Sequence, residues 1–331
     1  MEAGRRARRQ EPMVRAGIAI VALLVGLWAL PILAAFRFLF GPYRRPPKPS
    51  LAKWGRSTQL HARTDDGIDL RVRHYPGCRG EAIIICGGYR SLSTDSSGFA
   101  AALQELGFDV LVHGWRATPD ASGGLYTMGI AEVRDVRAVV DLATSLRGVT
   151  SVALLGVSIG ALIALEEAIT DPRVTAVCLD SPILSVPHYF EQRLAARLHL
   201  PGLPFSAPLV LLVRALRRVD LHHIRVDRQL ERYGARPVLM ILPLLDSMTQ
   251  RPHQDTIAAR ARGLTATWRP RTDHCLAFLA ERQTYVRIVA DFVRLSIIAR
   301  DSRRAVATHG DRRVRSASSE NEHLGAPTLS G

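Results

Sequence analysis

From residue 57 onward, short apolar runs alternate with segments whose apolar positions recur at helical spacing. Residues 81–88 (EAIIICGG) form a continuous apolar run ending in glycines, the pattern of a strand covered on both faces. Residues 97–107 (SGFAAALQELG) predict a short amphipathic helix stopped by Gly107. Strands are predicted at 108–114, 149–156, 174–180, 236–243 and 264–270, and helices at 125–147, 161–170 and about 277–299. In the 125–147 segment Val133, Val136, Val139, Val140 and Ala143 supply the helical stripe. Residues 57–77 hold two β-like runs joined by Asp65-Asp66-Gly67, a hairpin signal. Alternation of this kind predicts a mainly parallel sheet with helices on both faces. Residues 183–235 interrupt it with a mixed, mostly helical insert.

The two ends differ from this body. Residues 16–36 (AGIAIVALLVGLWALPILAAF) run for 21 positions without a charge, about the length a helix needs to cross a bilayer core. This predicts an uncleaved transmembrane helix at 16–40 after a basic tail at 1–15, because a signal peptide's apolar region is shorter. Arginines flank the stretch on both sides, so the positive-inside rule leaves its orientation open. Residues 41–56 are rich in proline and charge and predict a linker. After residue 300 the composition turns polar, which predicts a disordered tail at 300–331.

Charge placement matters more than the total. The formal net charge is +14, yet residues 1–56 carry 11 Lys+Arg against 2 Asp+Glu. The body, 57–299, carries 27 against 24, so it offers no nucleic-acid surface. The basic N-terminus suits anionic lipid headgroups instead. Four cysteines (Cys78, Cys86, Cys178 and Cys275) lack metal-ligand spacing and read as core and loop thiols.

One motif carries chemistry. GVSIG, residues 156–160, puts Ser158 between a predicted strand and a predicted helix. A sharp turn there lifts the hydroxyl above the sheet edge, with glycines where strand and helix approach. Such a hydroxyl needs a base. His274, between the last strand and the last helix, is the candidate. His113, at a strand end, is placed to line the site, whereas His188, His222 and His223 lie in the insert and read as surface residues. The acid that would orient His274 is Asp246, three residues past a strand, with Asp180 at another strand end as the alternative and Asp273 as a third. The backbone N–H of Ile159, with that of Gly88 or Tyr89 in CGGYRS (86–91), would form an oxyanion hole.

In this order the motifs resemble the α/β-hydrolase superfamily. RTDDGIDLRVRHYPG resembles its opening hairpin, IIICGGYRS its His-Gly-Gly oxyanion strand with Cys86 in the histidine's place, and GVSIG its nucleophile elbow. RPVLMILPLLDSMT and DHCLAFLAERQTYVRIVADFV resemble the segments that carry the acid and the histidine. The resemblance implies eight strands with the second antiparallel, a small helical cap at 183–235, and a domain spanning 57–299. Its nearest branch is the prolyl-oligopeptidase-like or dienelactone-hydrolase-like serine hydrolases. The family's Asp-x-Arg-Gly-x-Gly-x-Ser loop stands here as Gly114-Trp115-Arg116-Ala117-Thr118-Pro119-Asp120-Ala121. Leu242-Pro243 and Thr272 also depart from the pattern.

The resulting expectation is a membrane-anchored serine hydrolase acting on carboxylic, lipid-like esters, with no metal and no cofactor. The partners expected are an acyl ester and membrane lipid. An amidase or peptidase with the same triad, or a catalytically silent binding module, are the alternatives.

Overall fold

The structure, a computed structural model, describes residues 55–94, 96–198 and 224–322, with short stretches between 15 and 37 and between 208 and 221. Strands β1 (Thr58–Arg63) and β2 (Asp69–Tyr75) form the predicted hairpin. They are followed by β3 (Glu81–Cys86), α1 (Ser97–Glu105), β4 (Asp109–His113), α2 (Glu132–Ser145), β5 (Ser151–Val157) and α3 (Ile159–Thr170). Then come β6 (Val174–Asp180), α4 (Val186–Leu198), α5 (Val226–Tyr233), β7 (Val238–Ile241), α6 (Arg251–Ala258) and β8 (Thr265–Trp268). The chain ends with the short α7 (Ala277–Ala280) and the long α8 (Arg282–Glu322).

The eight strands form one sheet in the order β1-β2-β4-β3-β5-β6-β7-β8. Only β2 runs against its neighbours; from β4 to β8 every pairing is parallel. The continuous apolar strands serve two cores. Ile84 and Leu154 pack with Val139 and Leu162 on the α2–α3 face. Ile83 and Leu155 pack with Leu103 and Val289 on the α1–α8 face. Strand residues alternate between faces, so both layers need apolar partners at every position.

The insert is smaller than the sequence implied. Ser185 and Arg225 form a single antiparallel bridge, and the Val226 N–H donates to Leu184 O at 3.1 Å. The excursion therefore leaves and returns at one point. Beyond it, α5 lies against α3: Gln229 Nε2 donates to Leu162 O at 3.0 Å and to Glu166 at 2.9 Å. It is the crossover helix between β6 and β7 rather than part of a cap. Val210 and Val213 are buried in the larger core, so part of the apolar 207–216 stretch packs inward.

Helix α8 passes the expected boundary at 299 and continues to Glu322. The tail contains no proline before Pro327, and extending an existing helix is cheaper than nucleating one. Residues 323–331 lie outside the described residues, as do most of the predicted tail 1–15 and linker 41–56. Much of the predicted span 16–40 lies outside them too. Residues 15–22 are helical and exposed, and Ile32 packs against the larger core. Among the described residues no helix is long and apolar enough to cross a membrane.

Candidate active site

Ser158 occupies the turn between β5 and α3 with φ 57° and ψ −119°. The left-handed backbone is costly for a non-glycine residue, and the packing leaves no looser alternative. A Cβ on Gly160 would stand 2.1 Å from Cys86 O and 2.3 Å from Gly87 O; one on Gly156 would stand 2.4 Å from Ala161 Cα. The two glycines let β5, α3 and the end of β3 converge. The Ser158 N–H donates to Asp180 O at 2.8 Å. Ile159 opens α3, where the first N–H groups have no intrahelical acceptor.

The three predicted side chains meet across the carboxyl ends of β5, β7 and β8. His274 Nε2 lies 2.9 Å from Ser158 Oγ. His274 Nδ1 lies 3.0 Å from each oxygen of Asp246. A carboxylate on Nδ1 fixes the hydrogen there and leaves Nε2 to accept from the serine. Asp246 is held in turn: its Oδ1 accepts the N–H groups of Met248 and Thr249, both at 2.8 Å. The Asp246 side chain is 1% exposed and the His274 ring 15%, so the acid is sealed while the base reaches the surface.

The alternative acids take other places. Asp273 accepts the N–H of Ser247 at 2.8 Å and of His274 at 2.7 Å, which pins the two loops together and lowers its proton affinity. Asp180 is buried beneath the triad, bonded to Tyr285 and Ser181 and not to the imidazole. Burial raises its pKa above the usual carboxylate value, against the lowering effect of those two hydrogen bonds.

Gly88 lies beside Ser158: a Cβ there would stand 3.8 Å from Ser158 Cβ. Tyr89 turns its ring onto Tyr126, with centroids 5.1 Å apart and planes at 86°. The sequence did not single out what supports this loop. Trp115 Nε1 donates to Gly87 O at 3.1 Å and Gly88 O at 3.0 Å, which ties the loop's main chain to the indole. The one available signal was an aromatic residue in the loop after β4. His113 packs edge-on against the Trp115 indole, centroids 4.5 Å apart, and is fully buried. It therefore supports the loop from below instead of lining an open site. Its Nδ1 donates to Gly114 O, and burial depresses its pKa to about 4.

His188 is not a surface residue. It is largely covered and its ring lies tilted against His253, centroids 4.1 Å apart; His222 and His223 lie outside the described residues. All four cysteines are free thiols. The Cys275 thiol interacts with the hydroxyls of Ser181 and Ser158, and burial pushes its pKa well above the ordinary value, which keeps it protonated.

Comparison with known proteins bears on the fold. Residues 78–238 match the family model described as serine aminopeptidase, S33. No curated protein is similar enough in sequence to match. Among solved structures, the Pyrococcus furiosus esterase Pf2001 superposes with a TM-score of 0.64 at 17% identity, over 76% of this chain and 96% of its own. A Pseudomonas aeruginosa hydrolase gives 0.54 at 21% identity, over 72% and 98%. Est1E of Butyrivibrio proteoclasticus, solved with ferulic acid, gives 0.54 at 18% identity, over 72% and 99%. With its single antiparallel strand and its serine at the β5–α3 turn, the chain is by fold an α/β-hydrolase.

Proposed function

We propose that the protein is a serine hydrolase that cleaves carboxylic esters through an acyl-enzyme on Ser158. The observation that carries this reading is the continuous contact from Asp246 through His274 to Ser158. Ser158 Oγ attacks the acyl carbonyl carbon while His274 Nε2 takes its proton. The oxyanion would be held by the N–H of Ile159 and that of Gly88 or Tyr89. Collapse expels the alcohol, which takes the proton from His274. Water then attacks the acyl-enzyme by the same route, releasing the acid and restoring Ser158. Asp246 orients the imidazole and balances its charge. No step requires a metal or organic cofactor.

The direct test is labelling with a fluorophosphonate. The wild type is expected to label, and Ser158→Ala to lose both label and ester turnover, by about 10⁵–10⁶-fold in kcat. Asp246→Asn is expected to lower kcat by about 10³–10⁴-fold. Labelling of Ser158→Ala at the wild-type rate would remove the nucleophile assignment.

A second reading, cleavage of amides, has its own support in the serine aminopeptidase description of the matched family. Rates on matched acyl esters and aminoacyl amides separate the two. The catalytically silent binding module predicts a folded wild type that does not label. The placement nearest the prolyl-oligopeptidase-like or dienelactone-hydrolase-like branch rests on motif resemblance.

We also propose an N-terminal membrane anchor at 16–40, supported by the 21 uncharged residues and the arginines flanking them. A bilayer location would favour lipid-like esters. The contact of Ile32 with the core favours a different arrangement, in which this stretch lies on the body. Retention of the full chain in membranes through alkaline carbonate washing is expected for an anchor; release into the supernatant would favour packing on the body.

A further inference from the structure

A second buried carboxylate lies under the triad and takes no part in the steps above. Asp180 ends β6 with its side chain enclosed. Its Oδ2 accepts the Tyr285 hydroxyl at 2.7 Å and its Oδ1 accepts the Ser181 hydroxyl at 2.8 Å. Both oxygens accept hydroxyl protons, as an ionised carboxylate does. Ser181 Oγ in turn accepts the N–H of Cys275 at 3.0 Å, one residue past the base. The main-chain carbonyl of Asp180 accepts the N–H of Ser158 at 2.8 Å. One residue thus bonds to the nucleophile directly and to the base's loop through a single hydroxyl.

The backbone at these contacts is unusual. Ser158, Ser181 and Cys275 all have positive φ, at 57°, 49° and 59°. Non-glycine residues hold that conformation only where surrounding contacts fix it. Here the three left-handed turns are joined by the hydrogen bonds centred on Asp180. The titratable groups that face Asp180 are Tyr285 from α8, His274 and Cys275 from the loop before α7, and Asp246 from the loop after β7. Of these, His274 is the group whose positive charge Asp180 would favour.

We propose that Asp180 is a positioning residue for the catalytic base: through Ser181 it fixes the turn that presents His274, and its enclosed charge supports the imidazolium formed as Ser158 attacks. This rests on the Ser158–His274–Asp246 reading. It assigns to Asp180 a part that Asp246, already bonded to the ring, leaves open.

The test uses the full-length protein and a water-soluble ester. Asp180→Asn keeps the shape and removes the charge. Its kcat is expected to fall about tenfold with KM unchanged, and the acid limb of its kcat/KM profile to move to lower pH by about half a unit, because a carboxylate near an imidazole favours the charged ring. Ser181→Ala keeps the charge and cuts the bridge; its kcat is expected to fall several-fold with the acid limb unmoved. Wild-type kcat and pH profile in both variants, even with a lowered Tm, would overturn the proposal. If Asp180→Asn does not fold, Ser181→Ala decides alone, and an unchanged kcat counts against it. Failure of the underlying reading is seen separately, as an unlabelled wild type or an active Ser158→Ala.

Discussion

His113 is a histidine with no route to water, enclosed against Trp115 and kept neutral by burial. Its pKa is about 4 in the folded chain and about 6.5 once unfolded. Between those values the unfolded chain takes up a proton that the folded chain refuses. Stability from this residue is therefore complete above about pH 6.5 and is lost as pH falls through 4. The loss is at most about 3 kcal/mol. His113→Phe is expected to flatten that part of the stability profile, measured by urea unfolding at pH 7 and pH 4.5. At neutral pH it should cost about 1 kcal/mol for the missing bond to Gly114. Ala117 is a second single-residue case. It stands where the resembled loop has glycine, and its φ is 60°. Ala117→Gly is expected to raise stability by about 0.5–1 kcal/mol, read as an increase in Tm.

At the scale of elements, what was legible in the sequence followed from patterns with a physical cause. The β5–α3 turn announced itself because only glycine fits where a strand, a helix and a second strand's carbonyls meet. Gly160→Ala is accordingly expected to displace the end of β3, abolish the proposed ester turnover and cost more than about 3 kcal/mol; soluble yield and Tm check it. Strand ends were readable to within about two residues because burial on both faces demands continuous apolar runs. Asp246 and His274 were readable because chain order and strand-end placement restrict the choice. Which acid bonds the imidazole emerged only with the loops folded, since strand ends alone place both acids near one edge. Trp115 offered only its aromatic character, and Ser181 and Tyr285 gave no warning, because the partners of all three are main-chain groups or residues distant in sequence. The Arg116 pair was similarly hidden. Its guanidinium, 4% exposed, bonds Asp135 of α2 and Asp66 of the β1–β2 turn. Removing one member of a buried pair strands the other, so Arg116→Ala is expected to cost about 3–5 kcal/mol in urea unfolding.

At the scale of the whole molecule, charge and apolar surface are divided by region. The body from 57 to 299 is almost neutral, and the excess positive charge lies largely before it. A composition-based reading of the tail as disordered missed that α8 already supplies a nucleus from which further turns can grow. The insert was overestimated for a related reason: helical periodicity identifies α5 as a helix but says nothing of which layer it joins, and Gln229 and Arg232 settle that by their bonds to α3. The indole of Trp115 has a further consequence. It is one of four tryptophans in the chain, wholly enclosed, and its N–H is committed to the two glycine carbonyls beside the nucleophile. Under the proposed mechanism, any shift of that loop would alter the electric field around this chromophore, so its ultraviolet emission would offer a label-free clock for the burst and decay of the proposed acyl-enzyme.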